Sequence, residues 1–413
     1  MKIIIHRGSH EIGGTCIQLS TARTTILLDL GLPLSKKSKE IELSAIKPGA
    51  VLISHPHQDH YGLIDQLDRS VPVYIGEVGK NLIDATRVML RKSLPRNNFQ
   101  YFESWKPFVV GDFRITPYFV DHSASDAYAF LIEAVGKRIF YSGDFRAHGR
   151  KSVLFEKIIK HPPKDIDLLF MEGTMLGRDN IEFPFEEAVE KKILETIKSH
   201  NNITFLISSS QNIYRIVSAY RACLRAKKTL VLDFYTAWVH EQVQKKAKGV
   251  PGIGWDNIMI YADKGQDTTL ANNPEFFGSF RRRAYKYRVT HEELKSAPEN
   301  YLYLTKMSRH KLIARYKRQK PVNIIYSQWQ GYLQCTNDEY YGAEEISTLM
   351  KDPMVHWVNA HTSGHATVED LRAFAKSLNP KMLVPVHTEH EYQFAKYFKN
   401  VIACQDRNPI KLL

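Results

Sequence analysis

"SHPHQDHYG", residues 54–62, sets three histidines and an aspartate within six positions, and its spacing decides what fold can surround it. Pro56 biases His55 toward extended backbone. Side chains alternate along an extended segment, so His55 and His57 point the same way, at the end of an apolar run, "AVLIS", that reads as a buried strand. Asp59 and His60 follow at the turn into a helix expected over "YGLIDQL". They supply a carboxylate oxygen and a third nitrogen from a displaced position. Imidazole with carboxylate suits zinc, and this many ligands suit more than one ion. A loop merely rich in histidine would not need strand, turn and helix in this order.

Outward from that stretch the chain opens on strands, "KIIIHRG", "GTCIQLS" and "TTILLDLG", the last closed by Asp29. More strands follow a helix around "VGKNLIDATRVMLRKSL", and three of them end in groups able to bind metal or carry protons. These are His122 in "FVDHSAS", Asp144 in "YSGDF" and Glu172 in "FMEGT". From about residue 183 the pattern changes to amphipathic helices alternating with short apolar strands, an α/β layout with a parallel sheet. Near residue 355 the chain returns to "VHWVNAHTSGH", which holds His365, and "MLVPVHTEH", where His387 again stands at a strand end.

Composition bounds what such a site serves. The 413 residues are 43% hydrophobic and 24% charged, ordinary for a folded protein large enough for several domains. No apolar run approaches the ~20 residues of a membrane span, and the opening lacks a secretory h-region, so a cytoplasmic location and no membrane partner are expected. Cys16, Cys223, Cys335 and Cys404 lack any CxxC pattern and read as reduced core thiols. The formal charge of +13 and a pI near 9.3 favour a polyanionic partner. The excess is concentrated in "RRRAYKYR", residues 281–288, and "KMSRHKLIARYKRQK", residues 306–320, which interleave aromatics with cations and contain no acidic residue. Beside a hydrolytic metal site, these runs favour a phosphate-backbone substrate. A single-stranded nucleic acid drawn between two lobes by Arg281, Arg282 and Arg283 is the reading that uses both features, with tyrosines stacking unpaired bases.

"HPHQDH", then His122, then Asp144, resembles the signature of metallo-β-lactamase-fold hydrolases, and the later elements resemble their β-CASP nuclease branch. Glu172, His365 and His387 match that branch's motifs A, B and C. The pattern is most similar to ribonuclease J over essentially the whole chain, without that family's further C-terminal domain. The resemblance implies an αββα sandwich formed by residues 1–178 and 359–413, with a β-CASP α/β domain inserted over residues 179–358. It implies two zinc ions, or manganese or magnesium in their place. His55, His57 and His122 would hold one and Asp59, His60 and His387 the other, with Asp144 bridging. His365 would protonate the leaving 3′ oxygen, leaving a 5′-phosphate; Asp59 and Glu172 complete the catalytic set, and Glu172 and Asp29 would orient imidazoles. The loop His361, Thr362, Ser363, Gly364 and His365 would meet the substrate. Ser208, Ser209 and Ser210 in "ISSSQN" form a second phosphate nest or, equally, a capped turn. The activity implied is hydrolysis of RNA, exo- or endonucleolytic. A DNA nuclease is the runner-up and a non-catalytic RNA-processing partner a third reading; oligomeric state stays open.

Overall fold

The computed structural model describes residues 1–35, 38–178 and 182–412, so the expected boundary at residue 179 lies outside the described residues. The chain divides into two compact units. The first comprises Met1–Asp84, Leu94–Asp179 and Gly364–Leu413; the second comprises Ala85–Ser93 and Asn180–Ser363.

In the first unit run β1 (Lys2–Arg7), β2 (Cys16–Ser20), β3 (Thr25–Leu28), β4 (Ala50–Leu52), β5 (Pro72–Ile75) and β6 (Asn98–Tyr101). They are followed by β7 (Phe108–Val110), β8 (Phe113–Val120), β9 (Ala127–Ala134), β10 (Lys137–Tyr141) and β11 (Leu168–Glu172). The second unit holds β12 (Thr204–Ile207), β13 (Thr229–Asp233), β14 (Ile258–Tyr261), β15 (Arg288–Val289), β16 (Tyr301–Thr305), β17 (Val322–Tyr326) and β18 (Val355–Asn359). The chain then re-enters the first unit with β19 (Met382–Val386) and β20 (Pro409–Ile410).

Two sheets build the first unit, in the orders β20-β1-β2-β3-β4-β5-β6 and β19-β11-β10-β9-β8-β7. Their period-two patterns turn one face of each strand to a shared core: Ile3, Ile5, Ile17, Leu19, Ile26 and Leu28 from one sheet meet Phe113, Ile115, Phe130, Ile139, Phe170 and Val384 from the other. The alternate residues, among them Ala129, Leu131, Phe140, Leu169 and Leu383, face helices Ser152–Lys160 and Val368–Leu378, which contribute Phe155, Ile158, Leu371 and Phe374. Over the first sheet, Leu27, Val51 and Val73 are covered by Tyr61, Ile64 and Ile83. The result is an αββα sandwich.

The second unit is a parallel sheet in the order β15-β14-β13-β16-β12-β17-β18. Its central strands, "TFLI" and "VNIIY", are buried along their whole length, as strands covered on both faces must be. No helix among the described residues is long and apolar enough to cross a membrane.

Candidate metal centre

The cluster is assembled at strand ends of both sheets in the first unit. β4 leads into His55, and His57 is extended, at φ −87° and ψ 144°, where it precedes the helix Gln58–Tyr61. That helix starts earlier than the one expected over "YGLIDQL", which forms instead a 3₁₀ turn at Ile64–Gln66. The carbonyls of Gln58 and His60 accept from Leu32 and Leu30 backbone amides at 2.9 and 2.8 Å, so the loop after β3 is laced to the turn that carries Asp59 and His60. Gly31 permits this approach, since a Cβ there would lie 1.7 Å from the Asp59 carbonyl oxygen.

Asp29, fully buried at φ +58°, ties the segment from behind. Its carboxylate accepts from Ser54 N (2.7 Å), Ser54 Oγ (2.8 Å), His60 Nδ1 (2.7 Å) and Tyr141 OH (2.6 Å).

The second sheet brings the distant residues to the same place. His122 follows β8, Asp144 follows β10, Glu172 ends β11 and His387 follows β19. β11 and β19 pair in parallel with Glu172 opposite Val386, which fixes His387 beside the motif of Glu172. Gly143 turns the chain at φ +53°, where a Cβ would come within 2.7 Å of the Tyr128 carbonyl oxygen. Asp144 Oδ2 then lies at the hub: His60 Nε2 at 3.1 Å, His387 Nε2 at 3.6 Å, His55 Nε2 at 3.7 Å and His365 Nδ1 at 3.8 Å. His387 Nε2 is 3.3 Å from Asp59 Oδ2. All seven expected ligands, from His55 to His387, are thereby brought together.

The proton positions decide whether these residues fit a cation. Asp29 and the Gly364 carbonyl can only accept, so His60 and His122 donate Nδ1–H to them, at 2.7 and 2.6 Å. Ser54 Oγ gives its proton to Asp29 and so accepts from His55 Nδ1 at 3.1 Å. Thr174 Oγ1 gives its proton to the His387 carbonyl and accepts from His387 Nδ1 at 2.8 Å. Four imidazoles therefore present bare Nε2 atoms inward, and His57 Nδ1 lies 3.1 Å from that of His55 and 3.3 Å from that of His122. Converging lone pairs of this kind fit a metal ion, with the outer hydrogen bonds fixing each tautomer. Asp144 Oδ1 is buried and makes no hydrogen bond among the described residues, a deficit a cation would fill.

Electrostatics agree with that arrangement. Burial, aided by the surrounding imidazoles, holds His55 and His122 well below the usual histidine range, and burial brings His57 to about 4, so these three stay unprotonated as ligands must. Burial alone would also lower His60, but Asp144, Asp29 and Asp59 outweigh it and raise its proton affinity. His365 is likewise lowered by burial and raised further by Glu172 and Asp144. Its Nδ1 is 3.3 Å from Glu172 Oε1, the same oxygen that accepts from Ala366 N at 3.2 Å.

The loop expected to meet substrate passes from the second unit to the first between Ser363 and Gly364. Within the second unit the Thr362 carbonyl accepts from Arg215 Nη2 at 3.2 Å, and His361 Nδ1 is 3.3 Å from the Ser327 carbonyl. Within the first, Gly364 packs so closely that a Cβ would lie 2.6 Å from Ser123 Oγ. Of the three serines, Ser209 Oγ accepts from Gln211 N at 3.2 Å, Ser210 Oγ accepts from Thr236 Oγ1 at 2.7 Å, and Ser208 is buried.

The basic run over 281–288 is less open than its composition suggests. Arg281 pairs with Asp267 at 2.8 Å and Arg283 with Glu241 at 2.6 Å, while Arg282 makes no ion pair among the described residues. Of the three tyrosines in the two runs, Tyr316 is buried and Tyr285 lies under Arg281 and Arg288, while Tyr287 is exposed.

Sequence reasoning missed Ser54, Tyr141 and Thr174. Each stands inside a stretch already read for its neighbour: Ser54 before His55, Tyr141 at the head of "YSGDF" and Thr174 two residues after Glu172.

Comparison with known proteins follows the same outline. Residues 24–203 match the Beta-lactamase superfamily domain and residues 354–404 the Zn-dependent metallo-hydrolase RNA specificity domain. Ribonuclease J of Mycoplasma genitalium is 23% identical over 97% of this chain and 69% of its own length. The Probable RNase MJ4 of Methanocaldococcus jannaschii is 24% identical over 94% of this chain and 93% of its own. Ribonuclease J of Helicobacter pylori J99 is 21% identical over 98% of this chain, which spans 58% of that protein. A crystal structure of a protein of unknown function from Enterococcus faecalis V583 superposes with a TM-score of 0.74 at 20% identity, covering 100% of this chain and 99% of that one, and so shares the fold. With the sandwich, the inserted parallel sheet and the histidine-aspartate cluster in place, this chain is similar over nearly its whole length to the ribonuclease J-like proteins of the β-CASP, metallo-β-lactamase fold.

Proposed function

We propose that the chain is a metal-dependent ribonuclease that uses two zinc ions to hydrolyse single-stranded RNA and leaves 5′-phosphate ends. The observation that carries this reading is the position of Asp144 Oδ2, within reach of both ligand sets, 3.7 Å from His55 and 3.1 and 3.6 Å from His60 and His387. His55, His57 and His122 would hold one ion and Asp59, His60 and His387 the second, with Asp144 available to both. Zinc held there would lower the pKa of a bound water toward ~7 and offset phosphate charge.

The protein's own residues supply the rest. Asp29, Ser54, Thr174 and the Gly364 carbonyl fix the imidazole tautomers, so each ligand ring arrives oriented. His365, whose proton affinity Glu172 and Asp144 raise, would when protonated donate Nδ1–H to Glu172 and have a second proton, on Nε2, to give the departing 3′ oxygen. The loop His361 to Gly364, together with Ser208, Ser209 and the arginines at 281–283, contacts the RNA, with Arg282 the most available of the three.

The test is degradation of end-labelled RNA and DNA of one sequence by the metal-loaded protein, with product ends mapped. Loss of RNA with 5′-phosphate products is the expected result. Preference for DNA would replace the reading with a DNA nuclease, and 3′-phosphate products would remove His365 from the role given to it.

A further inference from the structure

The parallel sheet of the second unit contains a point where the chain diverges. β13 and β16 are neighbours, yet the chain leaves β13 toward β14 on one side and leaves β16 toward β17 on the other. Connections leaving adjacent strands in opposite directions open a crevice outside their carboxyl ends, where ligands of such sheets bind.

Most polar groups at that edge are already bonded. Asp233 accepts from Thr236 N and Gln266 Nε2, both at 2.8 Å. Tyr235 OH is 2.9 Å from Thr86 Oγ1 and accepts from Gln211 Nε2 at 2.8 Å, and Arg309 is spent on Asp263 at 2.7 Å.

Two groups are left over, on adjacent strand ends. Lys306 follows β16; its Nζ lies 4.2 Å from the centre of the Tyr235 ring and makes no hydrogen bond or ion pair among the described residues. Ser208 follows β12, and its amide donates to the Thr305 carbonyl at 3.0 Å, which sets it beside Lys306. The Ser208 side chain is 1% exposed, and its Oγ makes no hydrogen bond among the described residues. A buried hydroxyl left unbonded is costly, so its retention next to an ammonium whose near counter-charge, Asp233, is already hydrogen-bonded elsewhere calls for an acceptor that carries charge.

We infer that Lys306 and Ser208 form a subsite for a backbone phosphate of the RNA, at the carboxyl edge of β12, β13 and β16. The inference rests on the ribonuclease reading and names where the second unit grips the strand. Lys306 supplies the charge, Ser208 a directed donor, and the Tyr235 ring a wall that holds the amine in place.

The experiment is initial-rate cleavage of a labelled single-stranded RNA by the metal-loaded protein over a salt series, for wild type, Lys306→Met, Lys306→Arg and Ser208→Ala, with thermal melts alongside. Lys306→Met should raise KM about tenfold and make the slope of log(kcat/KM) against log salt shallower by ~0.7, the value for one phosphate on a single strand. Lys306→Arg should keep the slope. Ser208→Ala deletes an unbonded hydroxyl, so it remains testable should the lysine variants not fold; it should raise KM and leave the slope as it is. Unchanged KM and slope in Lys306→Met and Ser208→Ala overturn the inference. So does a Lys306→Met variant that only melts lower, for then the lysine merely balances Asp233. A wild type that does not cleave RNA overturns the ribonuclease reading itself.

Discussion

Thr174 Oγ1 donates to the carbonyl of His387 at 3.2 Å and accepts from that residue's Nδ1 at 2.8 Å, so one hydroxyl fixes both backbone and ring of a residue held at φ +51°. Thr174→Val keeps the shape and removes both bonds. Outer partners of metal-binding histidines typically matter ~10–100-fold in metal affinity. Thr174→Val should therefore weaken zinc binding by that order while Thr174→Ser retains most of it, as read by competition with a chromophoric chelator. Equal affinity in wild type and Thr174→Val would mean that the ring is oriented by packing alone.

The hub position of Asp144 makes a second expectation. Protein purified without chelator should carry close to two metal equivalents by elemental analysis, and Asp144→Asn should lose occupancy and activity together. His387→Ala should release one equivalent and retain the other. Full occupancy in Asp144→Asn would reduce that carboxylate to a structural role.

Why the ligand set was readable and its supports were not follows from where each bond runs. His55, His57, Asp59 and His60 are neighbours in sequence, and a proline, a strand and a turn are enough to converge them. Thr174 acts on a residue 213 positions away, through the parallel register of β11 and β19, which no local pattern encodes. The helix after the motif was misplaced for a similar reason: backbone amides of Leu30 and Leu32 take carbonyls from its only turn. In the basic runs, composition could not reveal that Arg281 meets Asp267, or that the helix His310–Lys317 turns Tyr316 inward beside Ile313. Linear charge counts overstate what a folded surface presents.

His365 and Glu172 separate metal binding from proton transfer. His365→Ala should keep both ions and still bind RNA, but cleave ~10²–10⁴ more slowly, the usual loss for general acid catalysis. Burial alone would lower the proton affinity of His365, and the negative charges of Glu172 and Asp144 raise it above the ordinary histidine value. Glu172→Gln removes the first of these charges, so His365 should lose its proton at lower pH. Because the acid must be protonated to act, the alkaline limb of the pH–rate profile should move toward lower pH in that variant. A shift in the other direction would take the proton donor's role away from His365.

The Arg215 guanidinium, fully buried, donates to Glu186 at 3.0 and 3.2 Å, to the Ser327 carbonyl at 2.9 Å and to the Thr362 carbonyl at 3.2 Å. It thus joins a buried ion pair to the loop that precedes His365. Glu186→Ala leaves this charge buried without its partner, which typically destabilises by ~3–5 kcal/mol. Urea unfolding should show that loss in the second unit. Replacing both members by apolar residues of similar size, Arg215→Met with Glu186→Leu, removes the unpaired charge and should recover most of the stability. The recovered protein still lacks the donor to Thr362, so RNA cleavage should stay impaired although the fold is restored. If the double variant regains both stability and cleavage, the buried pair serves folding alone and the loop is positioned without it.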